Sequence, residues 1–338
     1  MQDCGVNIEP VDANDEAAFA EWFRPFHAAE CRAWPDDPGW AEHELRVLCA
    51  DQSEAEIVIA VARDVDGTPV GCLDVSMPSR ENLDLAYVSV SVDPAHERRG
   101  VGRALLEHGE QVAQDRGRSR IFGHTLEPVD SEPRGASFAR AASYRAARTN
   151  ERRDLHLPVS PELLDDLTAA CLPFAAGYEI VTWTGSCPGS LAEGRVHLAQ
   201  VISADAPHGE LDYEVENWDI DRLRRWEANV EQMGRDLLSA GAVESASGTL
   251  VGFTELGLPR RRPQLAYQFD TVVSPEHRGH RLGALTKIAN VRALAERSPE
   301  TRRMSTWNAA DNAPMIGVNE AIGYARAGIL RDWQKDIA

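Results

Sequence analysis

One stretch of this chain occurs twice in a constant register. VDPAHERRGVGRALL (92–106) returns as VVSPEHRGHRLGALT (272–286), and GTPVGCLDVSMP (67–78) returns as GTLVGFTELGLP (248–259). Gly67 matches Gly248, Pro94 matches Pro275 and Gly102 matches Gly283, each pair separated by the same interval. An internal repeat constrains a fold before any local propensity does, since each copy must be one structural unit. A chain of 338 residues is long enough for two such units, each burying its own core. The expected division is a first lobe over 1–158, a linker helix over 159–177 and a second lobe over 178–338.

Each lobe reads as alternating strands and helices. In the first, VNIEPVD (6–12) is a strand, Asn14 to Trp34 is helical, and EIVIAVARD (56–64) and PVGCLDVSMP (69–78) flank an Asp66-Gly67 hairpin turn. LDLAYVSVSVDP (83–94) alternates as a strand, 103–117 carries apolar residues at helical spacing, IFGHTL (121–126) is a strand, SFARAASY (137–144) ends a helix, and DLHLP (154–158) closes the lobe. The linker SPELLDDLTAACLPFAAG (160–177) places Pro161 in a first helical turn, where proline is tolerated. The second lobe repeats the order, with strands at 178–184, 264–273 and 302–308, helices up to about Gly234, a hairpin around Ser247-Gly248 and a helix at 282–296. The fold class expected is α/β, a twisted mixed sheet flanked by helices, twice over.

The repeated unit is a strand that stops at proline, a basic glycine-bearing turn, and a helix. The first amides of a helix lack intrahelical acceptors and carry the positive end of the macrodipole. A turn with glycine lets an anion approach the backbone, so a pyrophosphate is the natural ligand. The strand broken at proline leaves amides with which an extended ligand can pair.

These residues resemble the GCN5-related N-acetyltransferase (GNAT) family, whose signature turn is Q/R-x-x-G-x-G/A between the fourth strand and the third helix. The resemblance covers nearly the whole chain as a tandem pair. It implies acetyl-CoA as acyl donor, with pyrophosphate on the turn and the thioester carbonyl polarised by fourth-strand amides, here those of Val272 and Val273. The turn residues that would bind the donor are Arg98, Arg99, Gly100, Val101 and Gly102 in the first lobe. In the second they are Arg278, Gly279, His280, Arg281, Leu282 and Gly283. Each copy departs from the signature: Glu97 stands where Gln or Arg is usual, and Arg281 replaces the first glycine.

Other resemblances separate the lobes. TWNAADNAPMIGVNEAIGY (306–324) holds Asn308 and Asn312, which match asparagines that meet the donor's arm, whereas 126–144 has no asparagine and carries Ser143 in place of Gly323. Catalysis is therefore expected in the second lobe. The family's acid tyrosine is absent from both, with Asn319 and Ala139 in its place. Direct transfer needs a base near the fourth strand. Asp270 lies on that strand, and Glu255, the match of Asp74, lies on its neighbour; the two are equal candidates.

The formal charge of −19, from 35 basic and 54 acidic residues, disfavours nucleic acid and anionic membranes as partners. It suits a small cationic amine as acceptor. DAPHGELDYEVENWDID (205–221) has seven acidic residues and no Lys or Arg, and would cover the acceptor, with Asp205, Asp212, Tyr213 and Trp218 as contacts. No CxxC pair is present among the six cysteines, His277 and His280 read as loop residues, and no metal is expected. With no signal-like N-terminus and no apolar run of membrane length, a cytoplasmic monomer or homodimer is expected. Two alternatives stay open: a non-catalytic acyl-CoA-binding or scaffold protein, and a transferase of a longer acyl group.

Overall fold

The computed structural model describes residues 5–37, 39–131, 133–205 and 213–337. The chain forms two compact units: residues 1–149 with 208–214 and 329–338, and residues 150–207 with 215–328.

The first unit begins with β1 (Asn7–Val11), α1 (Glu16–Ala33), α2 (Glu42–Ala50), β2 (Ala55–Arg63), β3 (Pro69–Pro78) and β4 (Leu85–Val92). Asp15 caps α1 by accepting from the amides of Ala17 and Ala18. The helix buries Phe19 and Trp22 against the sheet, where the Trp22 indole donates to the Leu73 carbonyl at 2.9 Å. The Asp66-Gly67 hairpin forms with Gly67 at φ +81°, and β1 to β4 pair antiparallel in sequence order. α3 (Val101–Asp115) then carries the chain to β5 (Arg120–Pro128), which pairs parallel with β4, and on to α4 (Arg134–Ala141). α3 packs Val101, Leu105, Leu106 and Ala113 into the core over β3 and β4.

The next strand, β6 (Arg145–His156), corrects the expected closing of the first lobe at 158. From Asn150 its residues pair antiparallel with the second unit's β11 (Arg303–Ala309), from Asn150↔Ala309 to His156↔Arg303. The reason is packing: Leu155 joins the second unit's apolar core, and Arg153 pairs with Glu151 and Glu320. The corresponding place beside β5 belongs to the end of β12 (Ala325–Asp336). There Trp333 is buried in the first unit's core and donates to the Thr125 hydroxyl, and Lys335 bonds Glu110. Each unit is thus completed by a strand from a distant part of the sequence.

The second unit contains α5 (Pro161–Cys171), β7 (Tyr178–Thr184), α6 (Ala192–Asp205), α7 (Ile220–Gln232), β8 (Arg235–Glu244), β9 (Leu250–Pro259), β10 (Leu265–Val273), α8 (Leu282–Arg297), β11 and α9 (Ala313–Ile322). Ser160 caps α5, and Pro161 occupies its first turn as the sequence implies. The sheet repeats the first unit's order: β7 to β10 antiparallel, then β10 parallel to β11. No helix among the described residues is long and apolar enough to cross a membrane.

Candidate active site

In the second unit a 3₁₀ turn, Pro275–His277, ends β10 and leads into the basic turn. Gly279 (φ +87°) and Arg281 (φ +57°) are left-handed. In the first unit the left-handed residues are Arg98 (φ +61°) and Gly100 (φ +92°), at the same two places. Glycine and arginine have exchanged positions, and the backbone is unchanged. The departure of Arg281 from the signature therefore keeps the shape, and each turn holds one left-handed arginine, strained by order 1–3 kcal/mol. Among the described residues, the amides of Gly279 to Gly283 donate to no protein acceptor, nor do those of Arg98 to Gly102. A run of consecutive free amides at a helix start forms an anion cradle. A Cβ at Gly279 would meet nothing within 4 Å, so the cradle opens to space.

The side chains around the two turns differ. Glu97 is gripped by Arg32 (2.7 Å) and Arg134 (3.0 Å). Arg278, its match, pairs with Asp205 and donates from Nε to the Val273 carbonyl (3.2 Å). His280 Nδ1 lies 2.8 Å from the Phe174 carbonyl, and His277 Nδ1 lies 2.9 Å from the Tyr178 hydroxyl. No group of three or more His, Cys, Asp or Glu side chains suited to a metal is gathered among the described residues.

β10 and β11 pair only from Leu265↔Arg303 to Tyr267↔Ser305 and then part, leaving the β11-facing edge of β10 without a strand partner up to the turn. At this point β10 also bulges. Gln268 opposes Leu256 and Thr271 opposes Thr254, so Phe269 and Asp270 together face Glu255. Gln268 clasps the bulge by donating to the Glu255 carbonyl (2.8 Å) and the Thr254 hydroxyl (2.9 Å), and Thr254 and Thr271 hydroxyls bond at 2.7 Å. In the first unit β4 has no bulge: the register runs unbroken from Ser76↔Tyr87 to Gly71↔Val92.

Both carboxylates proposed as bases lie at this bulge. Glu255 is 4% exposed, accepts from the Ser239 hydroxyl at 3.0 Å, and has Arg195 Nη2 at 3.6 Å. Burial pushes its pKa up to about 7 against the pull of Arg195 and Ser239, and the negative charges of Asp270 and Glu227 add to the rise. Asp270 is exposed to solvent at the bulge. Restricted hydration raises its pKa, Arg195 opposes the rise and Glu216 adds to it. Arg195 comes from α6, far from the repeated motifs, and lies flat on the Phe253 ring, 3.8 Å from its centroid. Nothing in the motif spacing signalled it. In the first unit Asp74 faces Ser89, which bonds it, and burial raises that carboxyl to about 6.

The remaining candidates are not gathered into one site. Asp205 is taken by Arg278. The Trp218 indole donates to Glu216 (3.0 Å), and its ring is covered by Arg222 at 4.9 Å. Tyr213 belongs to the first unit, and Asp212 lies outside the described residues. Asn312 caps α9 by accepting from the Met315 amide. Asn308 accepts from Asn319 at 2.7 Å, and the Asn319 Oδ1, fully buried, has no protein partner. The side chains of Val272, Leu282 and Val101 are core residues, so only their backbone is offered to a ligand.

With this geometry, kinship decides the chemistry. Residues 17–131 match the acetyltransferase (GNAT) family model. The chain is 26% identical over 297 residues to a mycothiol acetyltransferase of Sanguibacter keddieii, covering 84% of this chain and 83% of that one. It is 28% identical over 298 residues to that of Saccharomonospora viridis, covering 85% and 83%. A tandem GNAT protein from the clavulanic acid biosynthesis pathway superposes with a TM-score of 0.81 at 27% identity, over 98% of both chains. Residues 17–131 thus carry the GNAT acetyltransferase signature, and over nearly its whole length the chain is similar to tandem GNAT N-acetyltransferases. A GCN5-related acetyltransferase from Sphaerobacter thermophilus shares the fold at a TM-score of 0.66 and 16% identity, over 99% and 96% of the two chains. This kinship supports acetyl transfer to an amine, and acetyl-CoA is the acyl donor of GNAT acetyltransferases. The chain's two free-amide cradles fit the donor's pyrophosphate, and the open edge of β10 fits the extended arm.

Proposed function

We propose that catalysis resides in the second unit and that the acceptor is a small cationic amine. The observation that carries this reading is the bulge of β10, which puts Asp270 and Glu255 opposite one another where the strands part. When bound, acetyl-CoA supplies the activated thioester. The amides of Gly279 to Gly283 hold its pyrophosphate, and the Val273 amide, on the edge of β10 away from β9, faces the thioester carbonyl and polarises it, while the Val272 amide points to β9. Asp270, the carboxylate open to solvent, takes a proton from the acceptor ammonium, directly or through one water. Glu255 sits behind it and, at about pH 7, shares the titration. The freed nitrogen attacks the thioester carbon, the carbon–sulfur bond breaks and the thiolate leaves. The second proton lost by nitrogen passes through water to the thiolate, whose conjugate acid has an ordinary pKa near about 8.5. Asn319, in the place of the family's tyrosine, donates no proton to it.

Asp270, Glu255, Glu216 and Glu227 favour a cationic acceptor in this unit. The relatives' names span mycothiol and clavulanic acid chemistry, so kinship does not choose the acceptor. The first unit keeps the cradle without the bulge, and serves as a second donor site or as a packing partner.

The test uses Gly102→Trp and Gly283→Trp, each placing bulk in one cradle. A Cβ at Gly283 comes no closer than 3.8 Å to Val273, so the backbone tolerates the change. Acetyl-CoA binding is followed by calorimetry, and thiol release is followed with a panel of amino sugars and diamines. Gly283→Trp is expected to abolish turnover, and Gly102→Trp to spare it. Turnover lost only in Gly102→Trp reverses the assignment of units.

A further inference from the structure

Beside the second unit's cradle, the segment after α5 holds an aromatic side chain out of the core. Phe174 ends the 3₁₀ turn Leu172–Phe174 and is 50% exposed. Its place is fixed from two sides. Its carbonyl accepts from His280, inside the basic turn, at 2.8 Å. The Arg281 guanidinium lies 5.4 Å from its ring centroid, presented there by the left-handed backbone of that residue. Tyr178 supports the arrangement, with its ring 5.1 Å from His280 and its hydroxyl bonded to His277. An exposed phenylalanine forgoes the stabilisation of burial, and this one is anchored to the turn by hydrogen bond and cation contact.

We infer that Phe174 and Arg281 form a stacking platform for the adenine ring of the donor in the second unit. The inference rests on the reading of that unit's turn as the donor cradle. A pyrophosphate on the amides of 279–283 leaves its nucleoside outside the turn, next to a flat ring and a flat cation. A purine stacks on either without requiring a specific hydrogen-bond pattern. Arg281 thereby has two tasks: its backbone shapes the cradle, and its side chain widens the platform. The arginine that replaces the signature glycine then has a use that offsets its strained conformation.

Three ligands separate this from a structural role: CoA, adenosine 3′,5′-bisphosphate and 4′-phosphopantetheine. Each is titrated by calorimetry into Gly102→Trp, with the first unit's cradle blocked, and into the same chain bearing Phe174→Ala or Phe174→Trp. Phe174→Ala is expected to weaken CoA and the adenosine bisphosphate by the same factor, at least about fivefold, and to leave phosphopantetheine within about twofold. Phe174→Trp is expected to keep or improve both adenine ligands. Equal weakening of all three makes Phe174 a support of the turn and overturns the platform, as does no weakening at all. A Gly102→Trp parent that binds no CoA overturns the second unit as a donor site, and this is seen before Phe174 is touched.

Discussion

The fourth strands of the two units differ by one inserted position, and the candidate chemistry follows it. LAYVSVSVDP (85–94) and LAYQFDTVVSP (265–275) begin on the same three letters and end on the same proline, but the second is longer by one. The added residue is the bulge. Where Ser89 alone faces Asp74 in β4, Phe269 and Asp270 face Glu255 in β10. The first unit closes its carboxyl into a hydrogen bond with Ser89, whereas the second sets two carboxyls against each other with Arg195 nearby. β4 leaves β5 after three pairs, as β10 leaves β11, so the parting is common to both units; what the bulge adds is a residue that bends the strand and redirects a side chain. Two copies of one fold can thus keep the same anion cradle and differ in whether a base stands at the end of it.

The largest effect expected from breaking this contrast is on turnover. Asp270→Asn and Glu255→Gln should each lower kcat by roughly 10²- to 10⁴-fold while leaving acetyl-CoA affinity within a few-fold. Asp74→Asn and Ser89→Ala should leave kcat nearly unchanged. The pH profile sharpens the point. The carboxyl pair must be ionised to accept a proton, and Glu255 titrates at about 7. Activity should fall as pH drops through about 7, and Glu255→Gln should move that limb to lower pH, where Asp270 alone titrates. A loss of activity in the Asp74 variant equal to that in Glu255→Gln would place the base in the wrong unit.

Much of this was legible in the sequence. The constant register of the repeat located both turns, both hairpins and the paired carboxylates Asp74 and Glu255. The extra residue within the second fourth strand was also there to be read, but it lies inside an apolar run whose alternation hides it. The strands that complete each unit were not legible, because residues 150–156 pair with 303–309 and no local pattern names so distant a partner. The pairing of the acidic stretch 205–221 was not legible for a related reason. Its charge was visible, but the arginines that engage Asp205 and Trp218, Arg278 and Arg222, are set by folding.

A second contrast concerns stability. Leu106 in α3 packs in the first unit's core, and its match in the repeat is Lys287, 2% exposed on α8 with its ammonium nitrogen 5.5 Å from the centre of the Tyr324 ring. Burial alone lowers this lysine from its ordinary 10.5 to about 7. The unfolded chain holds the proton up to about pH 10.5 and the folded chain releases it near 7, so between these values the unfolded state binds more protons and stability rises with pH. Below pH 7 the penalty is complete and constant. Lys287→Leu should therefore raise unfolding free energy by roughly 2–5 kcal/mol at about pH 7, with the gain shrinking toward about pH 10. Denaturant melts of both chains across this range measure it, and a gain that grows with pH would contradict it. If the lysine also helps turnover, kcat of the variant reveals a cost that its stability does not.

The smallest effect expected lies after the last helix of each unit. Gly323 is left-handed at φ +111°, and the first unit reaches a left-handed backbone at Ser143, φ +67°. The αL conformation crowds a Cβ against its own backbone, and glycine avoids that crowding but leaves the unfolded chain more flexible. Ser143→Gly should stabilise the chain by up to about 1 kcal/mol, and Gly323→Ser should destabilise it by about 1–2 kcal/mol. Packing does not decide the second change, since a Cβ at Gly323 would meet Leu155 at 3.5 Å, an ordinary contact. Backbone strain is what remains. Equal and opposite shifts in a denaturant midpoint would show that the two helix ends are equivalent in shape. A large loss from Gly323→Ser with no gain from Ser143→Gly would show instead that the second unit alone depends on how α9 is terminated, with Asn319, one turn upstream, as the residue displaced.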